Sequence, residues 1–241
     1  MSGHSKWATI KRAKAANDAK RGAVFTKLAN LITIAAKEKG GDLETNFSLR
    51  IAVEKAKQAN VPKDNIERAI KRGTGELTGE QIEELIYEGI GSANSQFVVK
   101  CLTDNKNRSA SSVRHIFSKY GGSLSPVMWN FRQRGVIRVM SEELKAKKLD
   151  IDSFELELID VGADDIQKEE EGVTVYTKIE DLQSVKKYLD DKNIKTESSE
   201  IEHVANDEIK LSVEEQEKIQ KLINELEENE DVSDYYTNVA I

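Results

Sequence analysis

Lys6, Lys11, Arg12, Lys14, Lys20, Arg21 and Lys27 stand within the first 27 residues, and Asp18 is the one acid among them. Cations at that density neutralise phosphates and release condensed counterions, which gives salt-sensitive binding with little sequence preference. On a helix beginning near Trp7, Lys11 and Lys14 lie three apart and share a face. The alternative for such a run is a solvated helix face. His4 and Trp7 flank Lys6. His4 is either a phosphate or base contact or part of a free terminus. Trp7 either stacks on a base or, the favoured reading, plugs a helical core. A second basic set, Lys63, Arg68, Lys71 and Arg72, surrounds a later helix. Lys71 and Arg72 near its C-terminus also complement the helix dipole, so a basic surface and dipole stabilisation are both open. A third set, Asn105, Lys106 and Arg108, falls between a strand and a helix. Asn105 there caps the helix, and a helix N-terminus beside two cations is also a secondary anion site.

The charge of the whole chain hides this pattern. Residues 1–75 carry 16 Lys and Arg against 7 Asp and Glu, and the rest carries 20 against 36, so a net charge of −7 combines +9 with −16. A basic third joined to an acidic two-thirds implies a polyanion partner at one end. Chemistry finds no support. His4, His115 and His203 are far apart and Cys101 is the single cysteine, so neither a zinc site nor an intramolecular disulfide is expected. There is no phosphate-cradling Gly-x-x-x-x-Gly-Lys loop, no dinucleotide fingerprint and no nucleophile motif. No catalytic residue, metal or cofactor is therefore expected, nor a small-molecule substrate. No apolar run approaches the ~18 residues of a membrane span, and the first residues lack the apolar stretch of a signal peptide. A cytoplasmic protein that begins at Met1 is the expectation.

The elements that must position these residues follow from periodicity. Val24, Leu28, Leu31, Ile32 and Ala35 mark one helix face, closed by Gly40-Gly41. Leu49, Ala52, Val53 and Ala56 mark a second helix, and Ile66, Ala69 and Ile70 a third, opened by Pro62 and stopped at Gly73. With an earlier helix over 7–19, these make a small bundle. Residues 74–80 read as a linker. Leu85–Glu88 and Phe97–Leu102 read as strands, 108–119 as a helix and Val127–Phe131 as another strand. Gly135–Val139 as strand, Glu142–Leu149 with Phe154–Ile159 as helix, Val173–Tyr176 as strand, a helix over 182–189 and a strand over 195–204 are read as the β-α-β-β-α-β order of a ferredoxin-like unit. Val213, Ile219, Leu222, Ile223 and Leu226 return to helix, and Tyr235–Val239 to strand. The first mixed unit has too few elements to close its own sheet, so this last helix and strand are expected to complete it.

The longest blocks are Gly3-His4-Ser5-Lys6-Trp7, Lys20-Arg21-Gly22, Phe25-Thr26-Lys27 and the run Asn60 to Gly73, followed by Tyr87-Glu88-Gly89 and Leu102 to Arg108. Together they resemble the YebC/PmpR family, which includes the mitochondrial translational activators of cytochrome oxidase subunit one. The resemblance runs nearly end to end. It implies an α+β protein: a helical N-terminal bundle plus two ferredoxin-like α/β domains, the third inserted into the second. With the patterning above, the boundaries are 1–76 for the helical basic domain, 77–132 plus 206–241 for the discontinuous α/β domain, and 133–205 for the insert. Ile90 to Ser95 replaces a Gly-Pro-Gly-Gly-like segment, and Pro126–Arg134 also departs from the pattern. Members of the family are labelled DNA-binding transcriptional regulators. Others are understood as translation factors on the ribosome, notably at proline-rich stretches. The resemblance thus implies a nucleic-acid-binding regulator with DNA as partner. The alternatives are a translation factor bound to rRNA or tRNA, and a protein-interaction scaffold.

Overall fold

The computed structural model describes Trp7 and residues 21–79, 81–147 and 151–240. In chain order its first elements are α1 (Arg21–Lys39), α2 (Phe47–Gln58), α3 (Lys63–Gly73), β1 (Glu83–Ile90), β2 (Gln96–Thr103), α4 (Lys106–Lys119) and β3 (Ser123–Leu124). Then come β4 (Phe131–Met140), α5 (Ser141–Ala146), α6 (Ile151–Asp160), β5 (Ala163–Lys168), β6 (Gly172–Thr177), α7 (Leu182–Asp191) and β7 (Ser198–Ala205). The last are β8 (Ile209–Lys210), α8 (Val213–Glu228), β9 (Val232–Thr237) and β10 (Val239–Ala240). Two compact units result. One contains the described residues from Arg21 to Val127 together with Leu211–Tyr236, and the other contains Trp7, Met128–Lys210 and the described residues from Thr237 on.

In the first unit, α1, α2 and α3 bury Leu28, Ile32, Leu49, Val53 and Ile66 in one core. Val24, expected on the buried face, is 39% exposed, because the core begins a turn later at Leu28. Asn46 joins two helices. Its Oδ1 accepts from Leu49 N at 3.0 Å as the N-cap of α2, and its Nδ2 donates to Ala35 O and Gly40 O at 2.8 and 2.7 Å. Gly73, expected as a stop, is the last helical residue of α3. A Cβ there would lie 2.4 Å from Thr33 O and 2.7 Å from Ala36 Cβ, so only glycine lets α1 and α3 approach this closely.

The same unit holds a sheet in the order β3-β1-β2-β9. β1 and β2 form an antiparallel hairpin with Gly89 opposite Phe97. The missing side chain at Gly89 is filled by the Phe117 ring of α4, since a Cβ would sit 2.6 Å from it. Phe117 in turn meets Phe97 edge-on at 5.7 Å. Replacing Gly89 with Ala is expected to cost about 1–3 kcal/mol of unfolding free energy, read by urea denaturation, because Phe117 must leave a close-packed position. Cys101 is fully buried in β2, and burial pushes its thiol up to about 11, which makes it a core residue.

The second unit is built on a four-stranded antiparallel sheet ordered β5-β6-β4-β7. This is the ferredoxin-like arrangement inserted between β3 and α8. The face carrying Gly135, Ile137 and Val139 packs on helices; a Cβ on Gly135 would lie 2.9 Å from Leu182 Cβ. The opposite face carries Arg132, Arg134, Val136 and Arg138 by strand alternation. Two local expectations fail here. Residues Met128–Asn130 form a short 3-10 turn instead of a strand, because Asn130 spends its side chain on Asp207, accepting from Asp207 N at 2.9 Å and donating to Asp207 O at 3.0 Å. The expected strand Tyr235–Val239 is broken after Thr237, beyond which Val239 and Ala240 pair with β8.

Candidate nucleic-acid interface

His4, Lys6, Lys11, Arg12, Lys14 and Lys20 lie outside the described residues, as does the helix expected over 7–19 apart from Trp7. Arg21 opens α1, and its side chain is outside the description too. Trp7 is 1% exposed. It is a core residue, but of the inserted domain and not of the helical bundle. Its Nε1 donates to Glu169 Oε2 and, at 3.2 Å, to Thr174 Oγ1, and Thr174 also donates to Glu169 at 3.0 Å. Thr174 stands opposite Arg138 in the β4–β6 register. The indole therefore lies on the sheet face away from the helices, and stacking on a base is overturned for this residue. The other tryptophan, Trp129, is 71% exposed. In acrylamide quenching, Trp129→Phe is expected to leave blue-shifted, protected emission from Trp7, and Trp7→Phe to leave red-shifted, readily quenched emission.

Lys27 is turned inward. Its Nζ donates to Glu227 O at the end of α8 at 2.7 Å, and burial lowers its pKa against the opposing pull of Glu227. It is unavailable to a phosphate on the outer face of α1. The basic residues Lys63, Arg68 and Lys71 of α3 are exposed. Lys63 pairs loosely with Glu67 at 3.4 Å, and Arg68 and Lys71 are exposed three residues apart, on one face. Arg72 is half-buried, its side chain running beside Gly79. Sequence reasoning passed over Lys39 and Lys57, which are also exposed. The signal was there: α1, α2 and α3 each end in a basic last turn, and α1 and α2 have no acid in the first. Each such turn complements its own helix dipole, which by itself accounts for part of the positive charge.

The set at the start of α4 is engaged internally. Asn105 Oδ1 accepts from Arg108 N at 3.0 Å, the capping bond. Arg108 donates to both oxygens of Asp231, at 3.2 and 2.8 Å, and to Asp104 at 2.7 Å. These bonds, Asp231 first, raise its pKa further. Lys106 Nζ lies 2.7 Å from Glu83, whose carboxyl is held below its usual range by that hydrogen bond. Two cations facing three carboxylates leave no net attraction for a secondary anion. The cluster ties α4 to β1 and to the approach to β9.

The model of the TACO1/YebC protein N-terminal domain matches residues 5–76, and that of the TACO1/YebC second and third domain matches residues 82–239. The chain belongs to the TACO1/YebC family. It is similar to a probable transcriptional regulatory protein of Thermoanaerobacter pseudethanolicus, 47% identical over 100% of this chain and 98% of that one. A protein of the same description from Bacillus licheniformis is 48% identical over 99% and 100% of the two chains. The crystal structure of a conserved hypothetical protein from Aquifex aeolicus superimposes with a TM-score of 0.83 at 40% identity, covering 94% of this chain and 93% of that one. Two blocks that carried the resemblance to the TACO1/YebC family have structural causes in view: Gly89 makes room for Phe117, and Asp104 and Arg108 belong to the α4 ion cluster. Among the described residues no helix is long and apolar enough to cross a membrane, and no group of His, Cys, Asp or Glu is placed to hold a metal.

Proposed function

We propose that this chain regulates gene expression by binding nucleic acid through its basic N-terminal domain. The observation that carries the reading is the split of charge, +9 over residues 1–75 against −16 over the remainder. A polyanion is attracted to one end and repelled from the rest, which sets the orientation of binding as well as its strength. Arg68 and Lys71, exposed on α3, add to the positive charge that the sequence carries in its first 21 residues, and neither side chain has a partner among the described residues. The names of the relatives from Thermoanaerobacter pseudethanolicus and Bacillus licheniformis support a regulator of transcription, with DNA as the ligand. On this reading the protein acts in the cytoplasm by occupancy, with no catalysis, cofactor or small-molecule substrate.

A second reading, a translation factor on rRNA or tRNA, is favoured by one feature of the sequence. No helix-turn-helix with a clear recognition helix stands out in the sequence of the N-terminal domain, so on this reading its phosphate contacts position the protein without reading base edges. Ribosome co-sedimentation across a salt series, run beside a duplex-DNA shift assay, separates the two. Binding of a particular duplex above the salt-labile background, with ribosomes ignored, supports transcription. Travel with ribosomes and sequence-blind duplex binding supports translation. Failure to bind either ligand at low salt removes the proposal.

A further inference from the structure

The face of the inserted sheet opposite α7 carries a cleft of about 260 Å³, whose lining includes Arg132, Arg134, Asp165, Gln167, Tyr176, Asn206 and Glu208. Its parts are fixed to different degrees. Arg134 is held by Asp164 at 3.0 Å and lies over the Tyr176 ring at 5.3 Å. Tyr176 is itself 1% exposed and donates its hydroxyl to Gln167 Oε1 at 3.3 Å, which sets the orientation of that amide. Arg132 is different: it is exposed, and its guanidinium has no partner among the described residues. The side-chain amide of Asn206 is likewise exposed and unpartnered among them. Trp129, 71% exposed, precedes Asn130 on the turn that is bonded to Asn206, one of the residues of the cleft. The turn that carries it is held there by Asn130, whose carbonyl accepts from Asn206 N at 2.7 Å and whose side chain brackets Asp207.

A free guanidinium and two amides in one cleft, with an exposed indole on the turn bonded to Asn206, are the parts that recognise a nucleotide. The indole stacks on a base, the guanidinium takes a phosphate, and the amides read a base edge. The size of the cleft is just under the ~300 Å³ at which small-molecule sites begin, which admits one base and its sugar. The acidic charge of this part of the chain rules against a long duplex lying here. Asp165 and Glu208 would repel a run of phosphates but accept hydrogen bonds from the amino groups of a base. We infer that this cleft, together with Trp129 on the adjoining turn, binds a single unpaired nucleotide of a nucleic-acid strand. The inference rests on the reading of the chain as a nucleic-acid binder, but it uses none of the N-terminal cations.

The test is an NMR titration of the full chain, labelled with ¹⁵N, with each of the four ribonucleoside 5′-monophosphates and with inorganic phosphate. The side-chain amide signals of Gln167 and Asn206 and the indole signal of Trp129 are expected to move with at least one nucleotide and to stay with phosphate alone. Trp129→Ala and Arg132→Ala, both at exposed positions, are each expected to weaken that binding by roughly tenfold. The inference is overturned if no nucleotide moves the three signals at millimolar concentration. It is equally overturned if phosphate moves them as a nucleotide does, or if both variants bind like the wild type. Lys11→Glu with Lys14→Glu separates the two sites. Loss of duplex or ribosome binding with the nucleotide shifts retained leaves the cleft standing as a separate site, and loss of the nucleotide shifts in this variant would place nucleotide binding on the N-terminal cations and overturn the inference.

Discussion

Replacing Glu202 with Ala is expected to destabilise the inserted domain by about 3–5 kcal/mol, the penalty for stranding a buried charge. Arg138 and Glu202 are 1% and 4% exposed, and the guanidinium meets both carboxylate oxygens at 2.5 and 3.0 Å. Burial disfavours the charge on Arg138, and Glu202 more than offsets it, so its pKa stays above the ordinary value. With the carboxylate gone the main group that offsets burial is lost, leaving only the weaker pulls of Tyr176 and Glu200, and the guanidinium cannot discharge near neutral pH. The measurement is urea denaturation followed through signals of β4 and β6. A double replacement, Arg138→Met with Glu202→Leu, is expected to be neutral or stabilising, because it removes both desolvation costs together. A loss below about 1 kcal/mol for Glu202→Ala would instead be the value of a solvated surface pair, and the sheet face would have to be open to water.

The second large effect is on binding. Lys11→Glu with Lys14→Glu is expected to weaken nucleic-acid binding by more than about tenfold at low salt and to flatten the salt dependence by roughly two phosphate contacts. Filter binding across a salt series reads both quantities, and circular dichroism checks that the helices persist. Unchanged affinity would take the N-terminal face out of the mechanism, whatever the ligand. A lower affinity with an unchanged salt slope would mean that the two lysines act through the fold.

Elements were legible wherever one face is buried and the other is wet. Leu49, Ala52, Val53 and Ala56 announce α2 and are all buried there, and Leu182, Val185 and Leu189 do the same for α7. The edge strand β5, with sequence Ala-Asp-Asp-Ile-Gln-Lys, has no such alternation, because only Ala163 of it is buried. It was required by the β-α-β-β-α-β order but could not be located. The candidate site was legible as charge and not as geometry. Lys27 and Arg108 read as free cations because Glu227 and Asp231, the groups that engage them, are 200 and 123 positions away. Trp7 read as a plug for its neighbours in sequence, yet its partner Thr174 lies 167 positions on. Cleft residues such as Arg132, Gln167 and Asn206 come from two strands and a loop far apart in sequence, and no local spacing marks them.

The place of β9 in the sheet has a consequence for the time course of synthesis. β2 is an inner strand only once β9 lies beside it, and Ser233 reaches Lys100 O across 133 positions of chain. At the ~5–20 residues per second of a ribosome, that strand edge waits on the order of ten seconds for its cover. Phe97, Val98 and Val99, fully buried in the finished protein, are on the waiting strand. A nascent chain of this protein therefore carries an apolar β-edge while the insert, whose strands are nearer one another in sequence, is already able to close. That interval, and not the finished fold, is when the protein is most open to edge-to-edge association with another copy or to capture by a chaperone.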